Sequence, residues 1–330
     1  MNKENLMKIG FTTSFPIEPI LAAGHQVIDL NNIFITGKNT QLVQKAEKMG
    51  YPRNICSWIK GIYSVASGAD FDYVMGIIQG DCSNTHSLLM TLKDQGQKIL
   101  YFSFPFDHDK LKLAREIELL EEYFGVSRSD TMKVKRELDR IRKKLVELDD
   151  LTWQTGKVSG QENHLWLVNA SDFGGDHHKF ETELDFFMIE AKQRKEQTDK
   201  LRLGFLGVPP IFDDLYEYLE SEGAGVVYNE IQRQFAMPYL KEDIIDQYWY
   251  YTYPYSVNER LADIQTEIKR RNLDGVISYT QSFCHRQIDN ILIRKYLDIP
   301  VLTLEGDQPG KLEARSRLRI ESFLDMIKYR

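Results

Sequence analysis

Two stretches of this chain follow one plan, and each ends in a thiol. Asp72-Tyr-Val-Met-Gly-Ile-Ile-Gln-Gly-Asp-Cys82 and Asp274-Gly-Val-Ile-Ser-Tyr-Thr-Gln-Ser-Phe-Cys284 have the same length: an aspartate, an apolar run, a polar turn and a cysteine. A helix-like stretch follows each cysteine. After the same 17 residues each leads to a further strand pattern, Ile99-Leu-Tyr-Phe102 and Val301-Leu-Thr-Leu304. Strand, helix and strand in that order predict a parallel sheet with crossover helices. A thiol just beyond the carboxyl end of an inner strand stands in the crevice where open α/β sheets bind ligands.

The repeat extends further. Lys8-Ile-Gly-Phe11 reads as a first strand, and its pattern returns at Leu201-Arg-Leu-Gly-Phe205. Gly204 follows Gly10, and Pro210 follows Pro16, by the same 194 residues. At 330 residues the chain exceeds one ordinary domain. The expected fold is α/β: two Rossmann-like, doubly wound parallel-sheet domains related by duplication, with a helical insertion. The expected boundaries are 1–106 for the first domain, 107–200 for the helical lobe and connection, and 201–330 for the second domain.

Between the copies the hydrophobic period changes. Val134, Leu138, Ile141, Leu145 and Leu148 recur at helical spacing on a charged background. Gly125 ends a preceding helix, and Ser127 to Asp130 offer caps for this one. Two antiparallel helices are expected here. The polar, Gly- and His-containing stretch Gly156 to Lys179 reads as loop, and Glu181 to Gln197 as helix. In the first domain a short helix ends near Gly24, and Val27-Ile-Asp-Leu30 and Ile33-Phe-Ile-Thr36 are further apolar runs. Ile55-Cys-Ser-Trp-Ile-Lys-Gly-Ile-Tyr63 is apolar at helical spacing. That places Cys56 at a helix N-terminus, where unpaired N–H groups favour a thiolate.

Charge excludes some function classes. The 42 basic residues are mixed with 49 acidic ones, net −7, and form no block suited to nucleic acid or a membrane surface. The N-terminus leads straight into the first strand, with no signal peptide and no long apolar run, so a cytoplasmic protein is expected. Gly306-Asp-Gln-Pro-Gly-Lys-Leu312 lacks the spacing and the Ser/Thr of a P-loop, and no GxGxxG opens a helix. Neither ATP nor NAD binding is indicated.

Three widely spaced cysteines, Cys56, Cys82 and Cys284, suggest packing, catalysis or metal rather than a disulfide framework. As packing they would be small buried hydrophobes. As ligands, three thiolates cannot saturate a four-iron cubane, so one iron would stay open to a ligand. Zinc is the other metal reading, with His86 or His285 as fourth ligand, although no CxxC pair is present. His177-His178 beside Asp176 reads as a solvated loop before it reads as a metal site. The aromatic run Tyr248-Trp-Tyr-Tyr-Thr-Tyr-Pro-Tyr255 suggests mixed use, with the Tyr253-Pro254 turn closing over a site.

Four segments in order resemble the 2-hydroxyacyl-CoA dehydratase D-component family, which also holds benzoyl-CoA reductase subunits and double-cubane cluster proteins. They are Phe15-Pro-Ile-Glu-Pro-Ile-Leu-Ala-Ala-Gly24, the Cys56 helix followed by Gln79-Gly-Asp-Cys82, the Asp274 to Cys284 run, and Leu304-Glu-Gly-Asp307 leading to Arg315-Ser-Arg-Leu-Arg-Ile-Glu-Ser-Phe-Leu-Asp-Met326. The resemblance implies an oxygen-sensitive iron–sulfur cluster in the inter-domain cleft, held through positions matching Cys56, Cys82 and Cys284. The cluster would be [4Fe-4S], or a double-cubane [8Fe-9S] shared across a dimer. It implies a homodimer or a heterodimer with a related subunit, and a separate ATP-hydrolysing iron–sulfur activator that injects a low-potential electron. The implied activity is radical dehydration of a 2-hydroxyacyl-CoA thioester or an ATP-dependent reduction. Alternatives are a small-molecule reductase and a non-catalytic cluster-carrying or ligand-binding protein. Ser14 and Glu18, at the end of the first strand, are the expected substrate contacts.

Overall fold

The computed structural model describes residues 6–198 and 200–329. Residues 1–5, expected to lead straight into the first strand, lie outside the described residues. Eight strands form two four-stranded sheets. The first holds β1 (Lys8–Phe11), β2 (Gln26–Asp29), β3 (Tyr73–Gln79) and β4 (Ile99–Ser103), in the order β2-β1-β3-β4. The second holds β5 (Leu201–Leu206), β6 (Ala224–Asn229), β7 (Gly275–Gln281) and β8 (Val301–Gly306), in the order β6-β5-β7-β8. Every pairing is parallel. The two sheets share one topology, and both are Rossmann-like with helices on their faces. In each the strand order reverses beside the first strand, which opens a crevice at the carboxyl ends.

The duplication is visible in one repeated contact. The Asp72 carboxylate accepts the Lys8 backbone N–H, and the Asp274 carboxylate accepts that of Arg202, both at 2.7 Å. Each aspartate also donates its own N–H to the carbonyl of the same residue, at 2.9 and 2.8 Å. An acid ahead of the inner strand thus ties the edge of the pairing where the ladder starts. This explains why both thiol-bearing stretches open with Asp.

The insertion is helical, as its period predicts. Lys110–Phe124 ends at Gly125 in the left-handed conformation, and Ser127 and Asp130 form a reciprocal capping box for Arg128–Asp150. Leu138, Ile141, Leu145 and Leu148 are fully buried and share one core with Ile9, Phe11 and Phe15 of the first sheet's side. The expected loop from Gly156 to Lys179 is instead mostly helical. Gly160–Val168 is a helix with its own capping box from Ser159 and Glu162, and another helix, His177–Gln193, starts at Asp176, whose carboxylate caps it. Polar composition hid these helices because capping residues and loop residues are the same types. His177 and His178 therefore lie in a first helical turn, and the expected 181–197 helix is displaced four residues towards the N-terminus. Ile33 to Thr36 belongs to the helix Leu30–Thr36, capped by Asp29.

The two halves share packing. The helix Ser57–Ala66 is buried at all ten positions. Its Trp58, Ile59 and Ile62 belong to a core that joins Val74 and Leu88 of the first half to Leu203, Phe205 and Tyr279 of the second. In return, the aromatic segment of the second half enters the first half's core, where Tyr251 and Tyr255 pack against Phe104. Arg142 of the long helix, almost fully buried, pairs with Glu18 at 2.9 Å, and Tyr248 donates to the other Glu18 oxygen at 2.9 Å. Arg142→Ala leaves the Glu18 charge buried and unpaired. The expected loss is about 3–5 kcal/mol in urea unfolding, and the double variant with Glu18→Gln recovers part of it.

Candidate functional site

The three cysteines reach the site by the same local route. Cys56, Cys82 and Cys284 are the residues capping Ser57–Ala66, Ser83–Asp94 and the short turn His285–Gln287, which runs on into Asp289–Tyr296. The Cys82 sulfur accepts the Asn84 backbone N–H at 3.4 Å. Helix N-termini favour thiolates, but burial opposes them. Burial wins: it pushes Cys56 up to about 12 and Cys82 up to about 11, and raises Cys284. Each additional negative sulfur raises the others further. Such thiols ionise when something positive binds them. All three are free.

They line one cavity, with about 860 Å³ of space between its walls, part of it open to solvent. It lies where the crevices of both sheets face each other. Thr12 and Thr13 follow β1, Asp29 ends β2, Asp81 and Cys82 follow β3, Val208 and Pro209 follow β5, Gln281 ends β7, and Cys284, His285 and Arg286 follow it. Cys56 comes from the wedged helix. A shared acceptor fixes that helix to the second half: Ser57 Oγ donates to the Asp307 carbonyl oxygen at 2.7 Å, and Gln281 Nε2 donates to the same oxygen at 2.7 Å. One carbonyl thus fixes the neighbour of Cys56 to the strand end that carries Cys284.

The turn into Cys82 depends on glycine. Gly80 has φ +92°, and a Cβ there would come within 2.6 Å of Pro254 Cβ. The Tyr253-Pro254 turn therefore sits directly on the Cys82 loop, and Tyr253 lines the cavity. Of the aromatic run, Tyr248 and Tyr251 are core residues.

Among the described residues no three His, Cys, Asp or Glu side chains stand close enough to share one ion. His285 lines the cavity; His86 is exposed and does not. Neither Ser14 nor Glu18 lines it. Glu18 is committed to Arg142 and Tyr248, and Ser14 Oγ is buried without a hydrogen-bond partner.

The cavity also has polar residues that sequence reasoning missed. Asp29 lines it and forms a buried pair with Asp172. The Asp172 carboxylate accepts the Asp29 N–H at 2.7 Å, Ser171 Oγ donates to Asp29 at 2.6 Å, and Asn32 Nδ2 donates to Asp172 at 3.2 Å. No Lys or Arg pairs with either acid among the described residues. Burial raises both, and the charge of Asp29 helps push Asp172 up to about 7. An Asp at a strand end followed by two Asn was the available signal. Its partner, 143 residues away, gave none.

A duplicated Rossmann-like α/β protein, with one cavity where the switch-point crevices of its two sheets face each other, is the class that this fold defines. Over residues 12–327 the chain matches the family described as 2-hydroxyglutaryl-CoA dehydratase, D-component, and it belongs to that family. Among curated proteins none matches the chain.

Because Asp172 binds its proton more tightly folded than unfolded, the unfolding free energy falls as pH rises from the ordinary carboxylate value near 4 to about 7. The slope is at most about 1.4 kcal/mol per pH unit for one proton. Asp172→Asn is expected to flatten this segment relative to the wild type in urea midpoints measured from pH 4 to 8.

Proposed function

We propose that the chain is an iron–sulfur dehydratase component that binds a cubane-type cluster through Cys56, Cys82 and Cys284. One observation carries the reading: three thiols from three separate helix N-termini line a single cavity in a chain of this family. The two-unit organisation, with boundaries near residues 106 and 200, gives each half one strand-end cysteine and sets Cys56 between them.

When bound, such a cluster supplies a low-potential electron and an iron with a free position, which a 2-hydroxyacyl thioester needs before its unactivated hydroxyl can leave. The protein's own residues supply the rest. Trp58, Ile59, Ile62 and Phe235 give the cavity apolar walls that exclude water. Thr12, Thr13 and Asn31 offer polar contacts near the strand ends. Asp29 places a carboxyl group at the cavity wall, in a buried pair with Asp172, the partner pushed up to about 7. The electron reaches the site from a separate ATP-hydrolysing activator, since the sequence carries no nucleotide motif of its own. A second subunit of the same family, identical or related, completes the assembly. Three free thiols match a reducing compartment such as the cytoplasm.

The test is purification without air, followed by iron and acid-labile sulfide analysis and an EPR spectrum after reduction. About four irons per chain are expected, lost in Cys82→Ser. A colourless, iron-free protein from anaerobic cells would overturn the reading.

A further inference from the structure

We propose that Arg286 is the counter-charge of the three-thiol site, favouring added negative charge there. This rests on the iron–sulfur reading above. Of the described residues lining the cavity, Arg286 is the only Lys or Arg, and it stands there with three thiols, Asp29 and Asp81. A site that gathers thiolates out of water needs such a partner.

Arg286 lines the same cavity wall as Cys284, two residues further along the chain, and faces the cavity that also holds Cys56, Cys82 and Asp81. The side chain is 14% exposed and held in place. Nη2 donates to the Tyr253 carbonyl at 2.9 Å, and the guanidinium lies 4.7 Å from the Tyr253 ring centre. Asp289 is shared between two arginines. Asp289 lies 3.9 Å from Arg286 Nη1 and closer, 3.4 Å, to Arg260 Nη1. Arg260 is itself bound by both oxygens of Glu230, at 2.7 and 2.9 Å. Arg286 therefore stands as a cation in the cavity wall.

The physical consequence is a redox one. A thiolate-bound cluster gains one negative charge on reduction, and a fixed cation in a low-dielectric wall stabilises that form. Arg286 should raise the midpoint potential of the site. A purely structural Arg286 would only hold the Tyr253-Pro254 turn. Removing it would then change melting and leave the potential alone.

The experiment compares wild type, Arg286→Gln and Arg286→Lys, purified without air, by iron content, circular-dichroism melting and EPR-monitored redox titration. The expected result is a more negative midpoint potential in Arg286→Gln, most of it recovered in Arg286→Lys, with melting preserved. A loaded wild type whose potential and spectrum are unchanged in Arg286→Gln overturns this inference alone. An iron-free wild type overturns the cluster reading and the inference with it. If Arg286→Gln folds but loads no iron, loading by Arg286→Lys supports the counter-charge, and failure of both overturns it.

Discussion

The complete burial of the helix Ser57–Ala66 is the constraint on which the rest of the structure depends. A helix buried at every position cannot lie on a surface, and its one charged residue, Lys60, is paired with Glu47. The helices Leu30–Thr36, Asn39–Lys48 and Ser83–Asp94 of the first half cover most of it, and residues of the second half join the same core. Its N-terminus is thereby fixed between the two strand-end crevices, and Cys56 with it. The Asp307 carbonyl, accepting from Ser57 and Gln281, gives that position a precise register.

Buried charge does comparable work on the opposite side of the cavity. Glu18 joins the end of the first crossover to Arg142 of the long helix and Tyr248 of the second half. Asp149, near the end of the same helix, pairs with Arg271 of the second half. Arg271 also reaches Glu267 and the Val227 carbonyl. Such pairs are costly to form and more costly to break, so they set the orientation of the lobe more than they add net stability. The helical insertion is in this sense a bracket that holds the two crevices facing each other.

The legible part of the fold was what local chemistry writes. The strand and helix alternation, the duplicated Asp-to-Cys stretches, Gly125 and the Ser127 cap all act within a few residues, and each is visible in the sequence. The helices between Gly156 and Gln193 were hidden because their capping residues, Ser159 and Asp176, also have the composition of a loop. At the site, the cysteines were legible because their type is rare and their strand-end positions repeat. Glu18, expected as a substrate contact, is bound by Arg142 and Tyr248 and does not line the cavity, a placement that only contacts distant in the sequence reveal. Asp29 and Arg286 were passed over because common residue types acquire meaning only from what faces them.

By itself, then, the sequence determined the two parallel sheets, their duplication and the placing of each thiol at a helix start. Those depend on residue periodicity and on hydrogen bonds between near neighbours. Only the tertiary structure decided that three thiols share one cavity, that Asp29 meets Asp172, and that one arginine stands among the acids. Those depend on contacts between residues up to about 250 positions apart, such as Ser57 with Asp307. No local pattern encodes such pairs, because packing of the complete chain brings them together.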